Sequence, residues 1–303
     1  MKKLFGLILL VSILPALVTC KHVDMVAQIA AEAELIDQHT ANTISLTARA
    51  FEAATEKVTP DQEYFIGRAV AANILSTYRI WNGNPALTNY LNLICAAIVV
   101  NSPQPSLYNG YHVVILDTNE VNAFATSGGH IFLTRGLVNA AKSEEALAGV
   151  IAHEVAHIQL KHGINAIKTN RVTEALLLTA TAGIGMVTGL DAEELTDILN
   201  ESVGEIMQTM VNSGYSKEQE FEADVAAMYL MVAAGYDPSG LIDMLNILNT
   251  GPVRSARFNK THPSPIQRIY YANRAVQRLE VADTVPVRQQ RFNTIVSPRV
   301  SLY

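Results

Sequence analysis

The stretch Ile151-Ala-His-Glu-Val-Ala-His-Ile158 constrains this chain more than any other. It reads HExxH inside an apolar, helix-favouring run. A helix turns about 100° per residue, so His153 and His157 project from one face, one turn apart, and can share one tetrahedral metal ion. Glu154 lies beside them, where a carboxylate can take a proton from a water held at that ion.

Two imidazoles and a water leave one ligand to find. The extended pattern HExxHxxGxxH fails, because Leu160 and Gly163 stand where glycine and histidine are needed. His162 is nine residues past His153, roughly 180° around a continuous helix, and is excluded from the same ion. It is expected as a surface or helix C-terminal histidine at the negative end of the dipole. Carboxylates on another segment remain. Glu220-Phe-Glu-Ala-Asp224 supplies an acidic pair at i, i+4 on a second expected helix. There Glu220 can be the ligand while Asp224 orients a ligand imidazole through its other N–H.

HEVAH followed by EFEAD resembles the M48 family of zinc metallopeptidases, gluzincins whose pattern is HExxH…ExEAD. Two further segments match in order. Asn122-Ala-Phe-Ala-Thr-Ser-Gly-Gly-His-Ile-Phe-Leu-Thr-Arg-Gly-Leu137 resembles the family's NAFAxxGGxI…GL stretch, and Thr261-His-Pro-Ser-Pro-Ile-Gln-Arg-Ile269 its HP…RI stretch. The resemblance implies an α+β fold, mostly helical with a small sheet, and one Zn²⁺ per chain on His153, His157 and Glu220. It makes His130–Thr134 the edge strand beside the metal, where an extended polypeptide substrate adds itself by backbone hydrogen bonds. Asn122, Phe124, Gly129, His130 and Ile131 are then the substrate-binding candidates, although Phe124 and His130 read equally well as a core and a surface residue. His262 and Arg268 are implied near the metal, as donors to the developing oxyanion, with a resting plug on the ion as a second role for His262. The family also implies bacterial envelope quality control, with misfolded or unassembled proteins as substrates. The rival reading is a metal-bearing, chaperone-like assembly factor whose peptidase site is silent or tightly regulated.

The chain has a formal net charge of -6, so the basic footprint of a nucleic-acid binder is absent. Residues 1–19 read as an export signal: a basic start, an apolar run too short and too interrupted by Pro15 for a comfortable span, then small residues. Leu17-Val-Thr-Cys20 resembles a lipobox, making Cys20 the lipidated mature N-terminus. Lys21 after it fits the inner face of the outer membrane. Cys95 then has no intrachain partner and is expected to be buried and free.

Four regions follow: the signal at 1–19, a helix-favouring segment at 20–58, a peptidase domain at 59–280 and a polar tail at 281–303, read as a flexible or loosely docked extension. Within the domain, Thr59-Pro-Asp-Gln62, Asn84-Pro85, Ser143, Ser216-Lys-Glu-Gln219, Asp237-Pro238 and Ser264-Pro265 read as helix starts. Tyr111–Asp117 and His130–Thr134 read as strands, and Gly163 as the end of the HEVAH helix. The apolar run 175–190 spans about 16 residues, short of the roughly 20 that a membrane helix needs. With the helical periodicity of Leu195, Ile198, Leu199, Val203, Ile206 and Met210 it suggests a helical hairpin, either core or lid near the site or facing a membrane or partner.

Overall fold

The computed structural model describes residues 60–165, 206–250, 264–277 and 285–296, with positions 197, 200, 203, 204, 262 and 279 between them. The expected signal, Cys20, the segment 20–58, the apolar run 175–190 and the stretch 251–261 before His262 lie outside the described residues. Those described belong to one compact unit formed by residues 59–168 and 191–303.

Helix starts follow the local chemistry. α1 spans Pro60–Thr77 and α2 Pro85–Val100, where the Asn84 side chain accepts from Leu87 N and proline takes the first position, which has no partner for an N–H anyway. Three strands follow: β1 (His112–Leu116), β2 (Ala123–Thr126) and β3 (His130–Thr134). Their order is β1-β3-β2, with β3 parallel to β1 and antiparallel to β2. His130–Thr134 is therefore the central strand and not the edge. Its Ile131-Phe132-Leu133 run is buried throughout, as suits a strand paired on both sides and covered on both faces. The edge strand nearer the HEVAH helix is β2, four residues too short to announce itself. It turns into β3 through Ser127-Gly128-Gly129, where Gly129 has φ 87° and its N–H closes on the Thr126 carbonyl at 3.0 Å.

α3 (Arg135–Ala140) leads to α4 (Glu144–Gln159), which carries HEVAH and is capped by Ser143, whose hydroxyl accepts from Ala146 N at 3.1 Å. Every residue from Glu144 to Ile158 is buried, so α4 is the axis of the fold, as a helix apolar on nearly all sides must be. It packs against α2, β2, α6 (Lys217–Ala233), α7 (Ser239–Thr250) and α9 (Val285–Val296). A Cβ added to Gly149 would sit 2.8 Å from Leu241 Cα, so the closeness of α4 to α7 depends on that glycine.

Two boundaries differ from expectation. α4 does not run on to Gly163: Leu160 is its C-cap, Lys161 takes a left-handed φ of 59°, and a four-residue helix α5 begins at His162 (His162–Asn165). The C-terminal stretch is no loose tail, since Val285–Val296 is helical and buries Phe292 and Val296 in the core. Polar anchors fix it to the start of α4. Arg291 Nε donates to Glu144 Oε2 at 2.7 Å, with a second bond from Nη2 to Oε1, and Arg288 pairs with Glu145 at 3.3 Å over the Tyr236 ring. Glu144 also accepts from the hydroxyls of Tyr90 (2.8 Å) and Tyr236 (3.0 Å), which accounts for a carboxylate with no solvent exposure at the base of the central helix.

Of the segment expected to form a helical hairpin, the described residues include buried Val203 and Ile206 and a π-helical turn, Gln208–Ser213, before Gly214 at φ 76°. Among the described residues no helix is long and apolar enough to cross a membrane. Cys95 is buried and free, and burial raises its thiol to about 12.

Candidate metal centre

α4 and α6 bring the predicted ligands together. α6 starts at a complete capping box, Ser216 accepting from Gln219 N and the Gln219 side chain accepting from Ser216 N, which fixes the register of the acidic run that follows. His153 Nε2 and His157 Nε2 lie 3.0 Å apart, and the Glu220 carboxylate stands 3.5 Å from the first and 3.7 Å from the second. Ligand atoms around a tetrahedral zinc with bonds of about 2.0–2.1 Å stand about 3.3–3.4 Å from one another, so the three fit the group. Glu220 Oε2 is buried and makes no hydrogen bond, and the charge of Arg268 Nη1, 3.1 Å away, faces it, so it keeps a lone pair that a metal ion could take.

His262 reaches the same place. Its ligand atom lies with those of His153 and Glu220 within 4.8 Å of one another, a group that omits His157. His262 Nδ1, however, is only 2.7 Å from Glu220 Oε1. That is a hydrogen-bond length, shorter than two ligands on one ion would keep.

The remaining contacts set ring orientation and charge. His153 Nδ1 lies 3.0 Å from Asp224 Oδ1, so its hydrogen belongs there and the Nε2 lone pair points inward. Arg268, from α8 (Pro265–Val276), is buried and grips Asp224 with two bonds, Nε to Oδ2 at 2.8 Å and Nη2 to Oδ1 at 2.6 Å. Its Nη1 stands 3.1 Å from Glu220 Oε2. The guanidinium expected to face an oxyanion is thus spent on the two carboxylates. At His262 the hydrogen bond to Glu220 is likewise a partner that the sequence did not reveal.

Burial raises the Glu220 and Asp224 carboxyls, but their partners outweigh it: interactions with His262 and Arg268 hold Glu220 well below its ordinary value, and Arg268 holds Asp224 below its own. Burial, with His153 beside it, keeps His157 far below the usual imidazole range and therefore neutral. For His153, burial and the Arg268 charge push downward, yet hydrogen bonds to Asp224 and Glu220 win and raise it to about 9. A histidine must shed that proton to act as a ligand, so metal binding here would release a proton. Glu154 is raised, chiefly by burial, with His153 and His262 opposing, which moves a carboxylate toward the range useful to a general base.

Two small cavities flank the histidines, and both reach β2. One is lined by Ala123, His153, Glu154, His262 and Arg268, the other by Ala125, Thr126, Ser127, His157 and Tyr215. The five substrate-binding candidates all lie outside these linings. Asn122 is fully buried, its Oδ1 accepting from Ala123 N; Phe124 is buried with its ring 6.0 Å from Tyr78; Ile131 is core, paired on both sides. His130 bonds Thr126 at 3.0 Å, and the Gly129 carbonyl accepts from His112 N at 2.9 Å.

Tyr215 and Glu222 escaped the sequence reading, and His162, expected at the surface or the helix end, is buried. Tyr215 stacks on His157 at 4.3 Å between ring centres, and His162 is buried against His157 with Glu222 on its far side. Tyr215 directly precedes the Ser216 cap, a position whose side chain often packs back onto the helix start, and that was the available signal.

A buried HExxH helix whose histidines face a glutamate of a second helix, with another carboxylate beside them and a strand edge alongside, is an arrangement suited to a metallopeptidase. Residues 85–276 match Peptidase family M48, well over half the chain, and the chain belongs to that family. Its relatives include the beta-barrel assembly-enhancing protease of Escherichia coli (strain K12), 27% identical over 198 residues that cover 64% of this chain and 40% of the relative. The mitochondrial metalloendopeptidase OMA1 of Schizosaccharomyces pombe is 27% identical over 60% of this chain and 51% of its own length. Metalloprotease LoiP of Escherichia coli (strain K12) is 31% identical over 49% and 56%. The match thus spans about half the length of these relatives or less.

Proposed function

We propose that this chain is a zinc-dependent endopeptidase of the bacterial cell envelope that cleaves misfolded or unassembled envelope proteins. The observation that carries the reading is the convergence of His153 Nε2, His157 Nε2 and the Glu220 carboxylate within 3.0–3.7 Å, with Glu154 buried beside them. When bound there, zinc supplies Lewis-acid polarisation of a water and of the scissile carbonyl. Glu154 accepts the proton of the attacking water and delivers it to the leaving amine. Asp224 orients His153, and Arg268 holds Asp224 and Glu220 in place as a positioning residue. The substrate lies extended along β2, whose second edge pairs with no strand among the described residues. Such pairing uses backbone groups and reads little sequence, as a clearance protease requires.

The envelope setting rests on the leader, on the lipobox-like Leu17-Val-Thr-Cys20, and on a relative named for beta-barrel assembly. In this reading residues 1–19 are removed and Cys20 carries the lipid on the periplasmic face of the outer membrane. Digestion of casein with and without a chelator, with Glu154→Gln as control, tests the activity. Cleavage that persists in the chelator or in the variant sinks the metal-dependent mechanism, and no cleavage by the zinc-loaded wild type sinks the peptidase reading.

The hydrogen bond between His262 and Glu220 favours a second reading, in which the peptidase site rests in a regulated state. If His262 acts as the oxyanion donor, His262→Ala lowers kcat by about 10²–10³ with KM little changed. Faster cleavage or self-digestion by that variant assigns His262 to the resting plug instead.

A further inference from the structure

We propose that His162, anchored by Glu222, is the positioning residue that aims His157 at the metal. The inference rests on the zinc reading above and concerns this chain's own side chains. On an uninterrupted helix His162 would point about 140° away from His157. The left-handed backbone at Lys161 breaks α4 and swings the His162 ring back under its neighbour, where only 2% of it is exposed. There His162 Nδ1 lies 2.8 Å from His157 Nδ1, and His162 Nε2 lies 3.4 Å from Glu222 Oε2.

Two imidazole nitrogens at that distance share one hydrogen, and the metal site decides which ring carries it. A neutral His157 that offers its Nε2 lone pair inward must keep its hydrogen on Nδ1, and so donates to His162 Nδ1. His162 Nδ1 is then bare, and its own hydrogen sits on Nε2, facing Glu222. The chain of hydrogen bonds is determined from end to end. Tyr215, stacked on His157 at 4.3 Å and 20°, holds the ring against tilting while the hydrogen bond fixes its rotation.

The arrangement gives the acidic run on α6 three assignments. Glu220 faces the ion, Asp224 receives the Nδ1 hydrogen of His153 directly, and Glu222 supports His157 through His162. An intermediary is needed because Asp224 is already taken up by His153 and Arg268, whereas Glu222 is 60% exposed and reaches His157 only through the buried ring of His162. Outer partners of this kind are worth about 10- to 100-fold in metal affinity.

The test is a competition titration of the full chain, freed of metal, against a chromophoric zinc chelator, with thermal melts of the metal-free proteins alongside. His162→Phe keeps a flat ring and removes the acceptor, and should weaken zinc about 10- to 100-fold. His162→Asn, whose carboxamide oxygen can accept from His157 Nδ1, should recover most of the loss. Metal-free melting temperatures should stay close to that of the wild type. Wild-type affinity in His162→Phe, equal losses in Phe and Asn, or a metal-free melting loss as large as the zinc-loaded one would each overturn the positioning role. A wild-type chain that takes up no zinc would overturn it together with the metallopeptidase reading, and is distinguished from those outcomes by that fact.

Discussion

Glu154→Gln is expected to lower turnover of a fluorogenic peptide by about 10²–10⁴ while zinc content stays at the wild-type level. Gln matches the shape of Glu and keeps an acceptor oxygen, so the buried pocket shared with His153, His262 and Arg268 should survive the change. What it loses is the ability to take a proton from the attacking water. The size of the loss is set by that one step, because ligands and substrate edge are untouched. Loss of zinc in the variant would place Glu154 among the ligands, and turnover within a few-fold of wild type would remove it from the proton path.

Arg268→Ala should cost about 3–5 kcal/mol of unfolding free energy, read by urea titration of the metal-free protein. The guanidinium is buried and meets Asp224 at 2.6 and 2.8 Å and Glu220 at 3.1 Å, so its removal strands two carboxylates away from water. A dication would offset part of that charge, and the loss should therefore be smaller in zinc. Arg268→Lys should recover only part of the stability, because an ammonium group cannot grip Asp224 with two parallel bonds and still reach Glu220. A drop below about 1 kcal/mol for Arg268→Ala would mean that water enters and solvates the pair, and a purely catalytic role would be restored.

The residues that speak through local rules were legible in the sequence. HExxH fixes two side chains by helical arithmetic, and the caps at Asn84, Ser143 and Ser216 act within three residues of themselves, so the helices they open are where the sequence put them. Strand order depends on pairing across the sheet. Nothing in Ala123–Thr126 says that it, and not His130–Thr134, forms the edge. His162 was misjudged because the periodicity argument assumed an unbroken helix, and Lys161 carries no glycine-like signal for a left-handed turn. The C-terminal helix was missed although Pro286 at its start and the i, i+4 pair Phe292 and Val296 were in view. Its polar stretch makes sense only once Arg288 and Arg291 are seen to meet acids about 140 residues earlier. The roles of Arg268 and Glu222 likewise depend on contacts between elements far apart in the chain.

The most direct test of the account is the zinc content of purified wild-type protein and of Glu220→Ala, by elemental analysis after removal of loosely held metal. The account predicts close to one zinc per chain in the wild type and almost none in the variant. A fully loaded Glu220→Ala would contradict it and hand the third position to His262, the other side chain whose ligand atom stands in that cluster.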